Sequence, residues 1–342
     1  MRRQQLKLDK DVILSVMTET LRWTKCFLVL LGLTLLSDSP VSAWQSKEIR
    51  YRSTVDDTDQ NARFYVPAVE RPVPLMVILH TWSGDYQQTY HQEVEKWCVE
   101  NAWAYIHPDF RGPNRRAEAT GSDLAISDVV CAVRYAQANA NVDSAAIFLI
   151  GTSGGGHAAL LMAGRHAEIW AGVSAWVPIS DLAAWHRQCK KTGLPYVQDM
   201  VDSCGGAPGD SPVVDRQYAR RSPLTYLPKA RGVPVHIHAG IQDGHTGSVP
   251  ISHSLYAFNT LAEVNCRLSE NDIQFFVKQA DVPPQLKMEI KDPSYGSKRP
   301  LFRRTSSNAT LTIFDGQHEL IAEAALDWII QIHEQRDGPK KK

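Results

Sequence analysis

The pentapeptide Gly-Thr-Ser-Gly-Gly at residues 151–155 constrains this chain more than any other stretch of its 342 residues. It stands between an apolar run at 145–150 that reads as a strand and the helix-like text His-Ala-Ala-Leu-Leu-Met-Ala at 157–163. So sharp a turn from strand to helix forces its central residue into strained backbone angles, and the residues two positions away must lack side chains for the backbones to pass. The spacing alone arises by chance in about one chain in ten of this length and composition, so the flanking strand and helix carry as much weight as the motif. Together they make Ser153 the candidate nucleophile, its hydroxyl carried at the end of a strand.

The rest of the text alternates short apolar runs with helical patterns. Residues 75–79, Leu-Met-Val-Ile-Leu, are bounded by Pro74 and a polar turn, which is how a strand buried on both faces reads. Similar runs lie at 103–106, 170–177, 233–238 and 310–314, while 49–53 and 63–66 read as a short hairpin pair. Between them, 123–138 gathers Leu124, Ile126, Val129, Val130, Val133 and Ala136 toward one helical face, and 319–334 does so with Ile321, Ala325, Trp328, Ile329 and Ile332. This alternation predicts an α/β fold with a mostly parallel, doubly wound sheet and helices on both faces. Residues 181–231 break the rhythm, with Trp185, Tyr196, polar turns and Gly205-Gly206 but no clear strand, and are expected to form a lid-like insertion or pocket wall.

A serine hydroxyl needs a base, and the base needs an orienting acid. On a doubly wound sheet the partners follow a Gly-x-Ser-x-Gly serine in the order acid, then histidine. Asp243 follows the strand at 233–238 and His318 follows the strand at 310–314, each in a loop at a strand's C-terminal end, where open α/β sheets gather their chemistry. Ser153, Asp243 and His318 are therefore the expected catalytic residues. His157 and His245 are rival bases on the wrong segments, expected to be structural or pocket-lining, and Asp315 is a rival acid read as a turn former. For an oxyanion, the amide of Gly154 supplies one donor, and the loop His-Thr-Trp-Ser-Gly-Asp at 80–85 supplies a second from Trp82 or Thr81, with His80 orienting that loop.

Other chemistries find no support. His236 and His238 would share one strand face, but no third ligand with metal spacing stands out, so they read as partly buried strand histidines. No phosphate loop or dinucleotide fingerprint is present, and no cofactor is expected. Thirty-seven basic residues balance 37 acidic ones, with 43% hydrophobic and 22% charged residues, an ordinary globular composition that implies no nucleic-acid or membrane-surface partner.

Residues 1–43 read as a signal peptide: Arg22 and Lys25 precede an apolar run at 26–36, and Val-Ser-Ala at 41–43 is a small-x-small cleavage site. The run is shorter than the ~20 residues a bilayer requires, so no membrane anchor is expected, and Met17 would give the leader an ordinary length. Its removal takes away six basic and four acidic residues and leaves 31 against 33. Residues 44–337 then form the expected single domain, with its insertion at 181–231, and 338–342 a small basic tail. Export to the cell exterior or periplasm would allow one disulfide among Cys98, Cys131, Cys189, Cys204 and Cys266, with Cys189 and Cys204 the natural pair to consider, while Cys98 and Cys131 read as buried thiols.

These residues resemble the α/β-hydrolase superfamily, and within it the prolyl oligopeptidase-like and dienelactone hydrolase-like serine esterase branch. The resemblance runs through Asp-Phe-Arg-Gly at 109–112, the 151–155 turn, Ser-Pro-Leu-Thr-Tyr-Leu at 222–227, Gly-Ile-Gln-Asp at 240–243 with Val249-Pro250, and His318. It implies a Ser153, Asp243, His318 triad. The chain departs from the pattern by inserting Gly-His-Thr-Gly-Ser at 244–248, and by placing only 44–74 before the strand at 75–79, where the peptidases of this family carry a propeller. The expectation is thus a secreted serine hydrolase that cleaves carboxylic esters, of small acyl groups or saccharides, with Trp82, Trp185 and Tyr196 as candidates to line a substrate pocket, although core packing is the commoner fate of any one such ring. The alternatives are a serine peptidase acting on short peptides, and a secreted binding protein on a hydrolase scaffold.

Overall fold

The computed structural model describes residues 46–230 and 232–337. The leader at 1–43, its cleavage site, the start at Met17 and the tail at 338–342 lie outside the described residues. The apolar run at 75–79 is the centre of strand β3 (Val73–Leu79), buried along its whole length. Its side chains divide by parity as a pleat requires. Leu75, Val77 and Leu79 join one apolar cluster, while Met76 and Ile78 join another on the opposite face.

Around β3 lie β1 (Lys47–Arg52), β2 (Asp59–Tyr65), β4 (Ala104–Pro108), β5 (Val142–Thr152), β6 (Gly172–Trp176), β7 (Val235–Gly240), β8 (Pro300–Ser306) and β9 (Ala309–Phe314). They form one sheet in the order β1-β2-β4-β3-β5-β6-β7-β9-β8. The pairs from β4 through β3, β5, β6 and β7 to β9 are parallel, and β1/β2, β2/β4 and β8/β9 are antiparallel. The helices are α1 (Gln92–Glu100), α2 (Asp123–Asn139), α3 (Gly154–Arg165), α4 (Leu182–Thr192), α5 (Tyr196–Cys204), α6 (Pro212–Arg220), α7 (Ser252–Leu261), α8 (Glu270–Gln279) and α9 (Ala322–Asp337). Helices α2, α3 and α7 bury Val129, Leu160 and Phe258 on one face, and α1 and α9 bury Val94 and Ile329 on the other. This is the α/β-hydrolase fold, with chemistry available where β5, β7 and β9 end.

Three differences from the sequence reading have local causes. Strand β8, with α7 and α8, carries no clear signal in the sequence: Arg303 and Arg304 interrupt its apolar pattern because it is an edge strand, where charge discourages pairing with another chain. The last helix begins at Ala322 and not at residue 319, because Glu319 turns back to accept from the Gln317 amide (2.9 Å) and to pair with Lys298. Residues 181–230 are helical, not irregular. Helix α4 opens on the Asp181 side chain, which accepts from the Ala184 amide, and ends at left-handed Gly193. Ser211 caps α6 in the same way. These helices enclose their own apolar cluster of Trp82, Leu182, Trp185, Cys189, Met200, Cys204 and Tyr218. Cys189 and Cys204 are free buried thiols within it, as are Cys98 and Cys131 elsewhere, so the pairing considered for Cys189 and Cys204 is not formed.

The Asp-Phe-Arg-Gly turn has a clear structural role. Phe110, Arg111 and Gly112 all take positive φ, which turns the Arg111 guanidinium inward. There it meets Asp128 on α2, Asp56 (2.7 Å) and Ser53 (3.2 Å), with the Asp128 side chain 0% exposed. Removing one partner of such a pair strands a buried charge, so Arg111→Ala is expected to cost about 3–5 kcal/mol, measured as a fall in the urea midpoint. Arg111→Lys should restore only part of that, since an ammonium cannot reproduce the guanidinium fork.

Candidate active site

Only Ser153 separates β5 from α3. It holds φ 59° and ψ −116°, a conformation that costs a non-glycine residue about 1–3 kcal/mol. The surroundings hold it there: the Ser153 amide donates to Trp176 O (2.9 Å) and its carbonyl accepts from the His157 amide (2.8 Å). The glycines are required by contact with backbone. A β-carbon on Gly151 would fall 2.1 Å from Gly155 O, and one on Gly155 would fall 2.2 Å from Leu79 O.

His318 and Asp243 arrive from loops 75 residues apart in sequence. Asp243 Oδ2 lies 2.8 Å from His318 Nδ1, and His318 Nε2 lies 2.8 Å from Ser153 Oγ. An ionised carboxylate only accepts, so Nδ1 carries the proton and Nε2 is left to accept from the serine hydroxyl. Burial pushes the Asp243 carboxyl above its ordinary value, while the bond from His318 and the amides of Val249 and Gly244 pull it back. The His318 side chain remains 20% exposed. The three residues thus form a continuous hydrogen-bonded chain from a buried acid through a partly exposed imidazole to the serine hydroxyl, an arrangement able to remove a proton from Ser153.

Beside the serine, Gly154 is pressed against the 80–85 loop: a β-carbon there would lie 2.5 Å from both N and Cα of Trp82. Among the described residues, no acceptor takes the amide of Gly154 or of Trp82. Thr81 is a different case, because its amide donates to Gln88 Oε1 (2.9 Å), which removes it as a second donor and leaves Trp82. His80 lies beneath this loop, fully buried, with its ring nitrogens against Thr81 O (2.9 Å) and Asp109 O (2.8 Å) and its ring stacked on Phe110 at 4.0 Å. Holding the Thr81 carbonyl on one side aims the Trp82 N–H to the other, since the peptide is planar.

The rivals resolve onto structural tasks. His157 is buried and meets Arg221 O (2.7 Å), and His245 meets Val277 O (2.8 Å). The Asp315 amide donates to Arg299 O (2.9 Å) at the end of the antiparallel β8/β9 pairing. His236 meets Thr312 Oγ1 and His238 meets Tyr295 OH, each at 2.8 Å, in a buried polar network. No group of three His, Cys, Asp or Glu suited to a metal occurs among the described residues. Of the three candidate pocket aromatics, two take the core alternative. Trp82 and Trp185 are 3% and 1% exposed and pack edge to face at 4.6 Å, as core residues, and only Tyr196 stays partly open. Two contacts had no sequence signal: Trp82 Nε1 donates to Asp199 Oδ2 (2.9 Å), and Trp185 Nε1 donates to Ser248 O (2.9 Å).

The BD-FAE family model matches residues 63–261, more than half of the chain, including the 151–155 turn and Asp243 but not His318. A search of curated proteins found no match. Among solved structures, the chain is similar to the acylaminoacyl peptidase of Pyrococcus horikoshii, with TM-score 0.52 and 18% identity over 63% of this chain and 34% of that one. It is also similar to an acylaminoacyl peptidase in complex with Z-Gly-Gly-Phe-chloromethyl ketone (TM-score 0.57, 15% identity, 87% of this chain and 42% of that one). A third likeness is to Est1E from Butyrivibrio proteoclasticus (TM-score 0.54, 16% identity, 84% and 98%). The chain therefore spans about a third of the length of the first peptidase and less than half of the second. At these identities the structural likeness establishes the fold.

Proposed function

Because this chain belongs to the BD-FAE family, we propose that it is a serine hydrolase that cleaves carboxylic esters, of small acyl groups or saccharides, through an acyl-enzyme. The observation that carries this reading is the chain of two 2.8 Å contacts from Asp243 through His318 to Ser153. Ser153 Oγ attacks the ester carbonyl carbon while its proton passes to His318 Nε2. Asp243 keeps the Nδ1 proton in place and stabilises the imidazolium. The carbonyl oxygen, now an anion, takes the amides of Gly154 and Trp82. The imidazolium then protonates the departing alkoxide, which leaves an acyl group on Ser153. Water, deprotonated by His318, attacks that acyl group; the intermediate collapses with return of the proton to Ser153 Oγ, and the acid is released.

The likeness to acylaminoacyl peptidases favours a second reading, hydrolysis of short peptides by the same residues. Two measurements separate the possibilities. A fluorophosphonate should label the purified protein once, at Ser153, and p-nitrophenyl acetate should turn over while dipeptide anilides do not. Turnover of the anilides instead would establish the peptidase, and a native protein that takes no label would be a binding protein on a hydrolase scaffold. We also propose export by the leader at 1–43, for which N-terminal sequencing of the secreted protein should begin at Trp44.

A further inference from the structure

One side chain of the 181–231 segment touches both halves of the site. The Trp185 ring stands edge to face on Trp82 at 4.6 Å and stacks on Tyr196 at 5.1 Å, and its Nε1 donates to Ser248 O at 2.9 Å. Trp82 carries the free amide beside Gly154. Ser248 sits between two residues that touch the acid. Val249 donates its amide to Asp243 Oδ1 (3.2 Å), and a β-carbon on Gly247 would fall 2.2 Å from Asp243 Oδ1 and 2.8 Å from His318 Cβ. Gly247 therefore packs directly on the Asp243–His318 pair. Elsewhere the 244–248 loop stands apart from α4, across a cleft of about 230 Å³ with Gln188, Thr192 and Leu194 on one wall and His245 and Thr246 on the other. Among the described residues, the Trp185 bond is the hydrogen bond that joins α4 to residues 244–248, and beyond them Gln188 Oε1 meets His253 Nε2 at 2.7 Å.

We propose that Trp185 is a positioning residue that couples the oxyanion loop to the acid loop, with α4 acting as a strap across the site. The proposal rests on the serine hydrolase reading above. Its physical basis is that the Ser248 carbonyl, held from α4, fixes the planar peptide it shares with the Val249 amide and, through the Ser248 Cα, the Gly247–Ser248 peptide before it. Those units press Gly247 against His318 and aim the Val249 amide at Asp243. The same indole backs Trp82, so the donor for the oxyanion and the acid that orients the base share one support. Both groups do most of their work when charge develops in the transition state, so loosening the support should lower kcat and spare KM.

Trp185→Phe keeps the aromatic packing and removes the N–H. With active sites counted by fluorophosphonate titration, kcat per site is expected to fall about 10- to 100-fold, the scale on which small misplacements act, with KM within about twofold of the parent. Lys190→Ala, an exposed change on the same helix, should leave both unchanged. The downfield Nδ1 proton of His318, seen by NMR without substrate, should shift or broaden in Trp185→Phe. Parent values of kcat per site and of that resonance would overturn the proposal. Should the variant not fold, the indole N–H resonance of Trp185 in the parent protein decides: it should move when Ser153 is phosphonylated, and its constancy would refute the coupling. A parent protein that neither labels nor turns over would sink the hydrolase reading, and the His318 resonance in Trp185→Phe would still test the coupling.

Discussion

Ser153→Ala is expected to lower kcat by about 10⁴- to 10⁶-fold, the range seen when a serine nucleophile working with a histidine is removed. Stability should change little. The backbone that holds φ 59° is fixed by the bonds to Trp176 and from His157 and by the close passage of Gly151 and Gly155, none of which involves the hydroxyl. Activity remaining in the variant would come from the amides of Gly154 and Trp82 and from substrate binding. The measurement is steady-state turnover of p-nitrophenyl acetate alongside thermal melting. A variant that melts with the parent and keeps its kcat would remove Ser153 from the mechanism.

Acid should unfold this protein well before its carboxylates are exhausted. Burial holds the His91 imidazole down to about 3 and those of His157 and His253 to about 4. His107, His236 and His238 are lowered by burial in the same direction. In the unfolded chain these rings titrate near ~6.5, so between that pH and the folded values the unfolded state binds protons that the folded state refuses. Stability is fully present above about pH 7 and falls as pH drops, by about 1.4 kcal/mol per pH unit for each such ring. By pH 4 a single ring has removed about 3 kcal/mol, and three together approach the ~5–15 kcal/mol that a folded domain commands. Urea midpoints should be level from pH 8 to 7 and fall steeply below 6.5. His157→Gln, whose amide can still donate to Arg221 O, should make that fall shallower by one proton. A midpoint unchanged between pH 7 and 4.5 would show that these rings accept protons in place.

Much of the architecture was legible because it is local. The run at 75–79 is apolar without alternation because β3 has a helical layer on each face, and the pattern at 123–138 is the inner face of α2. The 151–155 turn shows in sequence because its glycines answer to backbone contacts within a few ångströms. Strand β8 did not show, since an edge strand that pairs Arg303 with Asp292 and Thr312 needs no continuous apolar run. Residues 181–230 read as irregular because their helices are short and bury themselves partly against one another, which blurs any single stripe. For Trp82 and Trp185 the sequence leaves pocket and core roles both open, because composition cannot distinguish a ring that faces substrate from one that supports the residue that does.

The sequence by itself determined that strands alternate with helices, that a strained serine ends one strand, and that an acid and a histidine follow two others. Those properties depend on side-chain periodicity and backbone sterics over a few residues. Only the tertiary structure decided that β5, β7 and β9 end close enough to bring Ser153, Asp243 and His318 within 2.8 Å of one another in turn, that Gln88 takes the Thr81 amide, and that Trp185 ties Ser248 to Trp82. Each of those contacts joins residues whose meeting is fixed by sheet order and loop path. Hydrogen bonds act over about 3 Å, and no pattern read along the chain measures distance across it.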